Sequence, residues 1–291
     1  MLGIIGAGGI YSGANPSYTA PEILHHFQIT KTKFVLTSLK ALDVVLDAAK
    51  SFGLSSSHIY VLDWRNKFVP CAHESWTRLL KYGESDWVIP VDANKTVAAY
   101  LSTSGTSGLP KIALIPHSYL VSQGETVLML TGSDHLRNRS VLITTPPFHA
   151  FTIPLQHLLP LATGNPCYVL QRFDIQDFLF SCQRFTITET AIVPLIMTAL
   201  AKNDKKAELS SLRKVYTAGS SATKETQARL YESLDPSAKI IQVFGMTECG
   251  WASSWQYNER DTSGSIGQPL PGFQMRLAPL SVCGICAINL I

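Results

Sequence analysis

Leu101-Ser102-Thr103-Ser104-Gly105-Thr106-Ser107-Gly108-Leu109-Pro110-Lys111 is a hydroxyl- and glycine-rich run, entered from the apolar Val97 to Leu101 and closed by proline and lysine. Hydroxyls fill five of the six positions from Ser102 to Ser107. Glycines let backbone N–H groups approach closely, hydroxyls add donors, and one lysine brings a compact positive charge, a combination that suits polyphosphate. A Walker A loop needs lysine directly after its second glycine and then Ser or Thr. Here Leu109 and Pro110 intervene and Ile112 follows, so the P-loop fold is excluded. A solvated Ser/Gly loop is the bland alternative, and the hydroxyl density with its Pro-Lys terminator weighs against it.

Outward from this loop, the sequence from residue 140 alternates short β-rich runs with helical stretches. Val141 to Thr144, Cys167 to Leu170, Ile187 to Val193, Lys214 to Thr217 and Lys239 to Phe244 read as β-rich; Asp174 to Arg184, Leu195 to Lys202 and Thr223 to Leu234 read as helical. Upstream, Pro21 to Phe27 and Leu39 to Lys50 read as helices around a buried strand at Phe34 to Leu36, and Gly272 to Leu277 reads as a last strand. The pattern predicts an α/β fold. No internal repeat or low-complexity linker interrupts it, and the apolar Ala278 to Ile291 carries neither turn chemistry nor helix caps.

Composition narrows the class further. The chain has 291 residues, 46% hydrophobic and 15% charged, enough to bury one large core or two smaller ones. A net charge of +3, from 24 basic and 21 acidic residues without a run of like charge, argues against a nucleic-acid partner. Cys71, Cys167, Cys182, Cys249, Cys283 and Cys286 are scattered through a long chain and read as reduced intracellular thiols. The lone C-x-x-C pair at Cys283 and Cys286 lacks the second pair or histidines of a zinc site. Met1 to Ile10 is apolar but has no basic leader region and is too short for a transmembrane segment. Gly6-Ala7-Gly8 fails as a dinucleotide fingerprint, because Tyr11 stands where the last glycine belongs.

Three further segments join the loop. Pro146-Pro147-Phe148-His149-Ala150 follows the strand at Val141; Val215-Tyr216-Thr217-Ala218-Gly219-Ser220-Ser221 ends a strand before a helix that Thr223 can cap; Gln242-Val243-Phe244-Gly245-Met246-Thr247-Glu248 ends another. Ligands of open α/β sheets gather at such carboxyl ends. Each alone has an ordinary structural reading: a satisfied histidine, a strand-to-helix turn, a buried strand with a capped turn. His25, His26, His73, His117, His135 and His157 are read in that bland way.

In this order the four segments resemble the acyl-adenylate-forming superfamily of AMP-dependent synthetases and ligases, with 4-coumarate:CoA ligase-like acyl-CoA synthetases the nearest look. The loop is similar to S-G-T-T-G-x-P-K, with Ser107 for the second threonine and Ile112 for the glycine after lysine. Pro146 to His149 is similar to P-x-x-H. Residues 217–221 are similar to S-G-[GA]-[AG]-P, with Ser221 for proline. Residues 242–248 are similar to Q-G-Y-G-M-T-E, with Val243 for glycine. Gly13 to Thr19 and Gly264 to Gly272 extend the likeness over residues 1 to about 277.

The resemblance implies the large N-terminal domain of the adenylate-forming fold, partial at 1–277, with 278–291 an apolar tail outside the family pattern. It implies ATP, Mg2+ and coenzyme A as cofactor and co-substrates, and a small-molecule carboxylic acid as substrate. The acid attacks the α-phosphate, pyrophosphate leaves, and the thiol takes the acyl group. Lys111, His149, Thr247 and Glu248 would be the catalytic residues, and Glu248 would hold the metal. Thr103, Ser104, Gly105, Thr106, Ser107, Gly108, Lys111, Gly219, Ser220, Gln242, Phe244, Gly245 and Thr247 would bind the nucleotide, with Phe244 stacked on adenine. Val243 should narrow the acyl pocket, whose surroundings suggest an apolar, aromatic or medium-chain acid.

The family's T-G-D segment, hinge and small lysine-bearing domain have no counterpart after Leu277, and its first subdomain has none before Met1. The expectation is therefore a chain short at both ends and impaired alone, in a cytoplasmic setting, or a peroxisomal one for a longer form. A nucleotide-binding remnant without catalysis and a luciferase-like oxidase on the same fold stand as alternatives. A carrier-linked adenylation domain is a further one, without a carrier serine motif to support it.

Overall fold

The computed structural model describes residues 1–62, 73–103, 110–131, 139–203, 206–276 and 289–290. They fall into two compact units, Met1–Pro116 and His117–Ile291.

In the first unit a short helix α1 (Leu2–Gly6) precedes β1 (Tyr11–Ser12). Helix α2 (Ala20–Thr30) starts where the Glu22 carboxylate accepts from both the Thr19 N–H and hydroxyl, with Pro21 in the first turn, so orphan donors at the helix start are satisfied. After β2 (Val35–Thr37), α3 (Leu42–Phe52) runs to Gly53, whose φ of 82° ends it with a left-handed residue. Ile23 and Phe27 of α2 and Val45, Ala48 and Ala49 of α3 bury themselves with Ile59 and Val61 of β3 (Ile59–Val61). Strands β2, β3 and β4 (Glu74–Ser75) form one parallel sheet. A second sheet has the order β1-β5-β6, with β5 (Val97–Thr103) antiparallel to β6 (Lys111–Pro116).

The second unit opens with α4 (His117–Thr131) and β7 (Val141–Ile143). A π-helical turn at Pro154–Leu158 passes into α5 (Leu159–Thr163), and β8 (Cys167–Val169) follows. Then come α6 (Ile175–Arg184), β9 (Glu189–Ile192), α7 (Pro194–Ala201), β10 (Lys214–Thr217), α8 (Lys224–Tyr231) and β11 (Lys239–Met246). Strands β12 (Gly250–Ser254), β13 (Gln268–Pro269), β14 (Phe273–Gln274) and β15 (Asn289–Leu290) complete the set. Asp174 caps α6 by accepting from Gln176 and Asp177, and Thr223 caps α8 by accepting from Thr226.

The central sheet of this unit has the order β13-β12-β11-β10-β9-β7-β8, and β14 pairs with β15 apart from it. Pairing is parallel from β8 to β11 and antiparallel from β11 to β13. Both faces of the parallel strands are covered, which is why their sequences read as continuous apolar runs. Leu142, Ile192, Val215 and Ile240 point to a core shared with Phe178 and Leu179 of α6, Met197 of α7 and Leu230 of α8. Val141, Ile143, Ala191, Tyr216, Ile241 and Val243 point to a core shared with Val127 of α4, Phe151, Leu155 and Trp251. At the amino ends of β7 and β9, Arg139 and Glu189 form an ion pair at 2.8 Å, with side chains 1% and 4% exposed.

The α/β class read from the sequence is the one observed, and strand starts agree to within two residues. Among the elements not anticipated, two bear on the site: α4, and the return strand β12, which makes residues 242–246 one arm of a hairpin with Thr247 and Glu248 in its turn. Among the described residues no helix is long and apolar enough to cross a membrane. Cys167, Cys182 and Cys249 are free thiols, whereas Cys71, Cys283, Cys286 and His135 lie outside the described residues.

Candidate functional site

In the first unit the expected phosphate loop is carried by the β5–β6 hairpin. Thr103 pairs with Lys111 in the last register position, so the stem brings the two ends of the loop together and leaves Lys111 exposed. Ile112, in the family's glycine position, sits in the ladder opposite Ser102. His25 of α2 reaches the Pro110 carbonyl at 3.3 Å, which requires a protonated Nε2 and ties the residue before Lys111 to a helix. Ser104, Gly105, Thr106, Ser107 and Gly108 lie outside the described residues.

The other expected residues belong to the second unit. His149 stands on a tight turn after β7, where its N–H donates to the Pro146 carbonyl and its own carbonyl accepts from Thr152 and Ile153. Thr152 donates to Thr145 at 2.7 Å and His157, in the π-helical turn, bonds the Pro147 carbonyl at 2.8 Å, so the turn is fixed from both sides. His149 Nδ1 accepts the Phe151 N–H at 3.3 Å, which selects the neutral tautomer with hydrogen on Nε2. His149 is exposed as a residue, yet the packing around its imidazole desolvates the charged form and lowers its pKa.

Gly219 follows β10 with φ of 94° and open space where a Cβ would stand, so left-handed backbone conformation selects glycine there. Ser220 beside it is exposed. Gln242 has a different placement from an open nucleotide contact. It is 3% exposed, its Oε1 accepts from the Ala222 N–H at 3.2 Å, and its Nε2 donates to the Ser265 carbonyl at 3.3 Å. It therefore ties the 217–222 turn to the 264–272 segment. Val243, expected to crowd an acyl pocket, is 6% exposed and packs in the core with Tyr216 and Trp251.

Past Val243 the strand emerges from the core. Phe244 is 37% exposed, Gly245 and Glu248 are exposed, and Thr247 is half-buried at the hairpin turn. A Cβ on Gly245 would stand 2.1 Å from the Gly250 carbonyl oxygen, so the close approach of β11 and β12 admits only glycine. Trp251 draws three motif segments together. Its indole Nε1 donates to the Phe151 carbonyl at 3.1 Å, its ring stacks on Phe151 at 5.5 Å, and it meets Tyr216 at 5.6 Å. The His149 turn, the β10 end and the Thr247 hairpin are thus anchored to one buried side chain.

Sequence reasoning missed two supports on α4. Tyr119 donates its hydroxyl to the Thr247 carbonyl at 3.3 Å, and Gln123, one turn on, bonds the backbone of Cys249 and Trp251. Burial, with smaller contributions from Cys249 and Glu248, pushes the Tyr119 phenol pKa well above its usual value and keeps it a donor.

Chemically, the second unit offers an aromatic face at Phe244, a hydroxyl and a carboxylate at Thr247 and Glu248, and a neutral imidazole at His149, all from segments at the carboxyl end of a parallel sheet. The exposed Glu248 carboxylate is a hard oxygen donor of the chemical kind that magnesium accepts. Among the described residues no cluster of three or more His, Cys, Asp or Glu could hold a metal alone.

A family model described as "AMP-binding enzyme" matches residues 1–279. The chain is 37% identical over 289 residues to acyl-CoA ligase azaF of Aspergillus niger, covering 95% of this chain and 54% of that protein. It is 36% identical over 289 residues to phenylacetyl-CoA ligase epaB of the same species, covering 95% and 53%. The fold matches the crystal structure of the anthranilate CoA ligase AuaEII in complex with anthranoyl-AMP with a TM-score of 0.82 at 20% identity, over 96% of this chain and 53% of that one. The chain thus spans about half the length of the curated relatives it matches.

Proposed function

Because the chain belongs to the AMP-binding enzyme family, we propose that it serves the ATP-dependent activation of a carboxylic acid to an acyl-adenylate and transfer of the acyl group to the thiol of coenzyme A. Residues 1–277 carry the adenylation part. In the first half-reaction the carboxylate oxygen attacks the α-phosphorus and the bond to pyrophosphate breaks; in the second the thiol attacks the acyl carbon and AMP leaves. Negative charge builds on phosphate oxygens in the first step, so fixed donors there stabilise the transition state.

Each residue has a role consistent with its placement. Thr103, Lys111 and the loop between them bind the β- and γ-phosphates, and the lysine stabilises the departing pyrophosphate. Thr247 donates to the α-phosphate, Phe244 stacks on adenine, and the turn at Gly219 and Ser220 borders the base. Gln242 supports that turn from beneath. Glu248 would hold magnesium, which neutralises phosphate charge when bound. His149, neutral with its hydrogen on Nε2, donates to the acid or its adenylate without adding charge.

The observation that carries this reading is the β11–β12 hairpin, where Phe244, Thr247 and Glu248 leave the core together at the carboxyl end of the parallel strands. An aromatic acid is the favoured substrate class, since one relative bears the name phenylacetyl-CoA ligase. Calorimetric titration with acyl-sulfamoyl-adenosines, stable mimics of the adenylate, tests both parts. The phenylacetyl compound should bind at least tenfold more tightly than the compound without an acyl group and more tightly than the decanoyl one. Absence of binding by all three would refute the nucleotide site, and a decanoyl preference would refute the aromatic assignment.

A further inference from the structure

Gln123 lies on α4, 3% exposed, one helical turn after Tyr119, so both side chains leave the same face of the helix. Its carboxamide substitutes for a neighbouring strand. Oε1 accepts the Trp251 N–H at 2.7 Å, and Nε2 faces the carbonyls of Cys249 and Trp251, each at 3.4 Å. Tyr119 adds its bond to the Thr247 carbonyl. The backbone on both sides of Glu248 is thereby held by one helix face across some 126 residues of sequence separation.

The hairpin is shaped to receive this side chain. Gly250 has φ of 74°, and a Cβ there would stand 2.3 Å from the Gln123 carboxamide carbon. Any other residue would be strained in backbone and would displace a group locked by its hydrogen bonds. Gly245 is equally required, by the Gly250 carbonyl. Two glycines clear the space, and one glutamine fills it with hydrogen bonds that match the chain's own donors and acceptors. Such a device does more than cover a core. It fixes the turn between two strands whose ends carry the exposed Phe244 and Glu248.

We propose that Gln123, assisted by Tyr119, is a positioning residue that sets Thr247 and Glu248 for the magnesium–nucleotide complex. The proposal rests on the functional reading above and goes beyond it, by assigning the orientation of the magnesium-binding carboxylate to a buried side chain in a different segment. Gln123 touches no substrate; it acts through the hairpin backbone.

The test uses the full chain with Gln123→Met, which keeps length and volume without the hydrogen bonds, and Gly250→Ala, which reaches the carboxamide from the other side. Two quantities are read at a temperature where circular dichroism shows every variant folded. One is amide hydrogen exchange in residues 244–251. The other is the gain in ATP affinity on adding magnesium, from titrations with magnesium and with EDTA. Expected are at least tenfold faster exchange confined to the hairpin and at least a fivefold smaller magnesium gain in both variants.

A purely structural role predicts a lower melting temperature with the magnesium gain unchanged, and that result overturns the proposal. Unchanged exchange overturns it as well. If the unsubstituted chain binds no ATP under either condition, the functional reading falls and the positioning role falls with it, whereas unsubstituted binding with unaffected variants removes the positioning role alone.

Discussion

Replacing Trp251 by Phe removes the side chain on which the His149 turn, the end of β10 and the Thr247 hairpin converge. Trp251 is 1% exposed, and its Nε1 donates to the Phe151 carbonyl at 3.1 Å. Phenylalanine leaves that acceptor without its donor in the core, at a cost of about 1–3 kcal/mol. The smaller ring also weakens the contacts with Phe151 at 5.5 Å and Tyr216 at 5.6 Å, where aromatic pairs contribute about 0.5–1.5 kcal/mol each beyond burial. Since phenylalanine keeps part of these contacts, the expected loss is about 2–4 kcal/mol. At about 2–4 °C per kcal/mol for a unit of this size, the melting temperature should fall by roughly 5–15 °C. Urea unfolding followed by circular dichroism measures the free-energy loss and a thermal scan the melting temperature, with Trp255→Phe as the comparison, because that indole bonds the Glu259 carbonyl in an exposed setting and should cost under about 1 kcal/mol. A loss at Trp251 no larger than that at Trp255 would refute the idea that this side chain holds the three segments together.

Gly245→Ala must push the β11–β12 strands apart to clear the 2.1 Å approach to the Gly250 carbonyl, so Mg-ATP affinity should fall at least tenfold while α6, α7 and α8 keep their hydrogen-exchange protection; unchanged affinity in titration calorimetry would count against the hairpin as the site. Burial lowers the pKa of His26, His149 and His157 in the folded state, so the unfolded chain binds protons first as pH falls. Stability should therefore be level above about pH 6.5, the unfolded value, and decline on acidification toward pH 5, before the carboxylates titrate. Nuclear magnetic resonance should find His149 titrating below about 6.5 as the Nε2–H tautomer, and a higher midpoint or a stability gain on acidification would contradict the burial argument.

Much of the second unit was legible because its strands are buried on both faces and its helices begin at strong caps. Asp174 and Thr223 marked the starts of α6 and α8 to the residue. Helix α4 was not legible: Gln123 and Thr126 are buried polar residues on the face that Val127 shares, so the apolar period is broken where the helix meets its partners. Strand β12 hid because Gly250-Trp251-Ala252-Ser253-Ser254 is buried throughout yet contains a glycine and two serines, so it forms no continuous apolar run. The candidate site residues were named from their segments, whereas the side chains that support those segments carry no such signal, because bonds from Tyr119 and Gln123 reach residues about 126–128 positions later. Gln242 shows the converse. A segment match pointed to it as a ligand contact, whereas its amide is engaged with Ala222 and Ser265.

The most direct test of the central claim is calorimetric titration of the chain with Mg-ATP, alone and as Lys111→Ala and Glu248→Gln. Charge-assisted contacts of this kind contribute about 1.5–3 kcal/mol, which corresponds to roughly a 10- to 150-fold loss of affinity for each substitution. Saturable binding by the unsubstituted chain with a loss in that range for both variants is the predicted result; no binding, or two variants that bind as tightly as the unsubstituted chain, would contradict it.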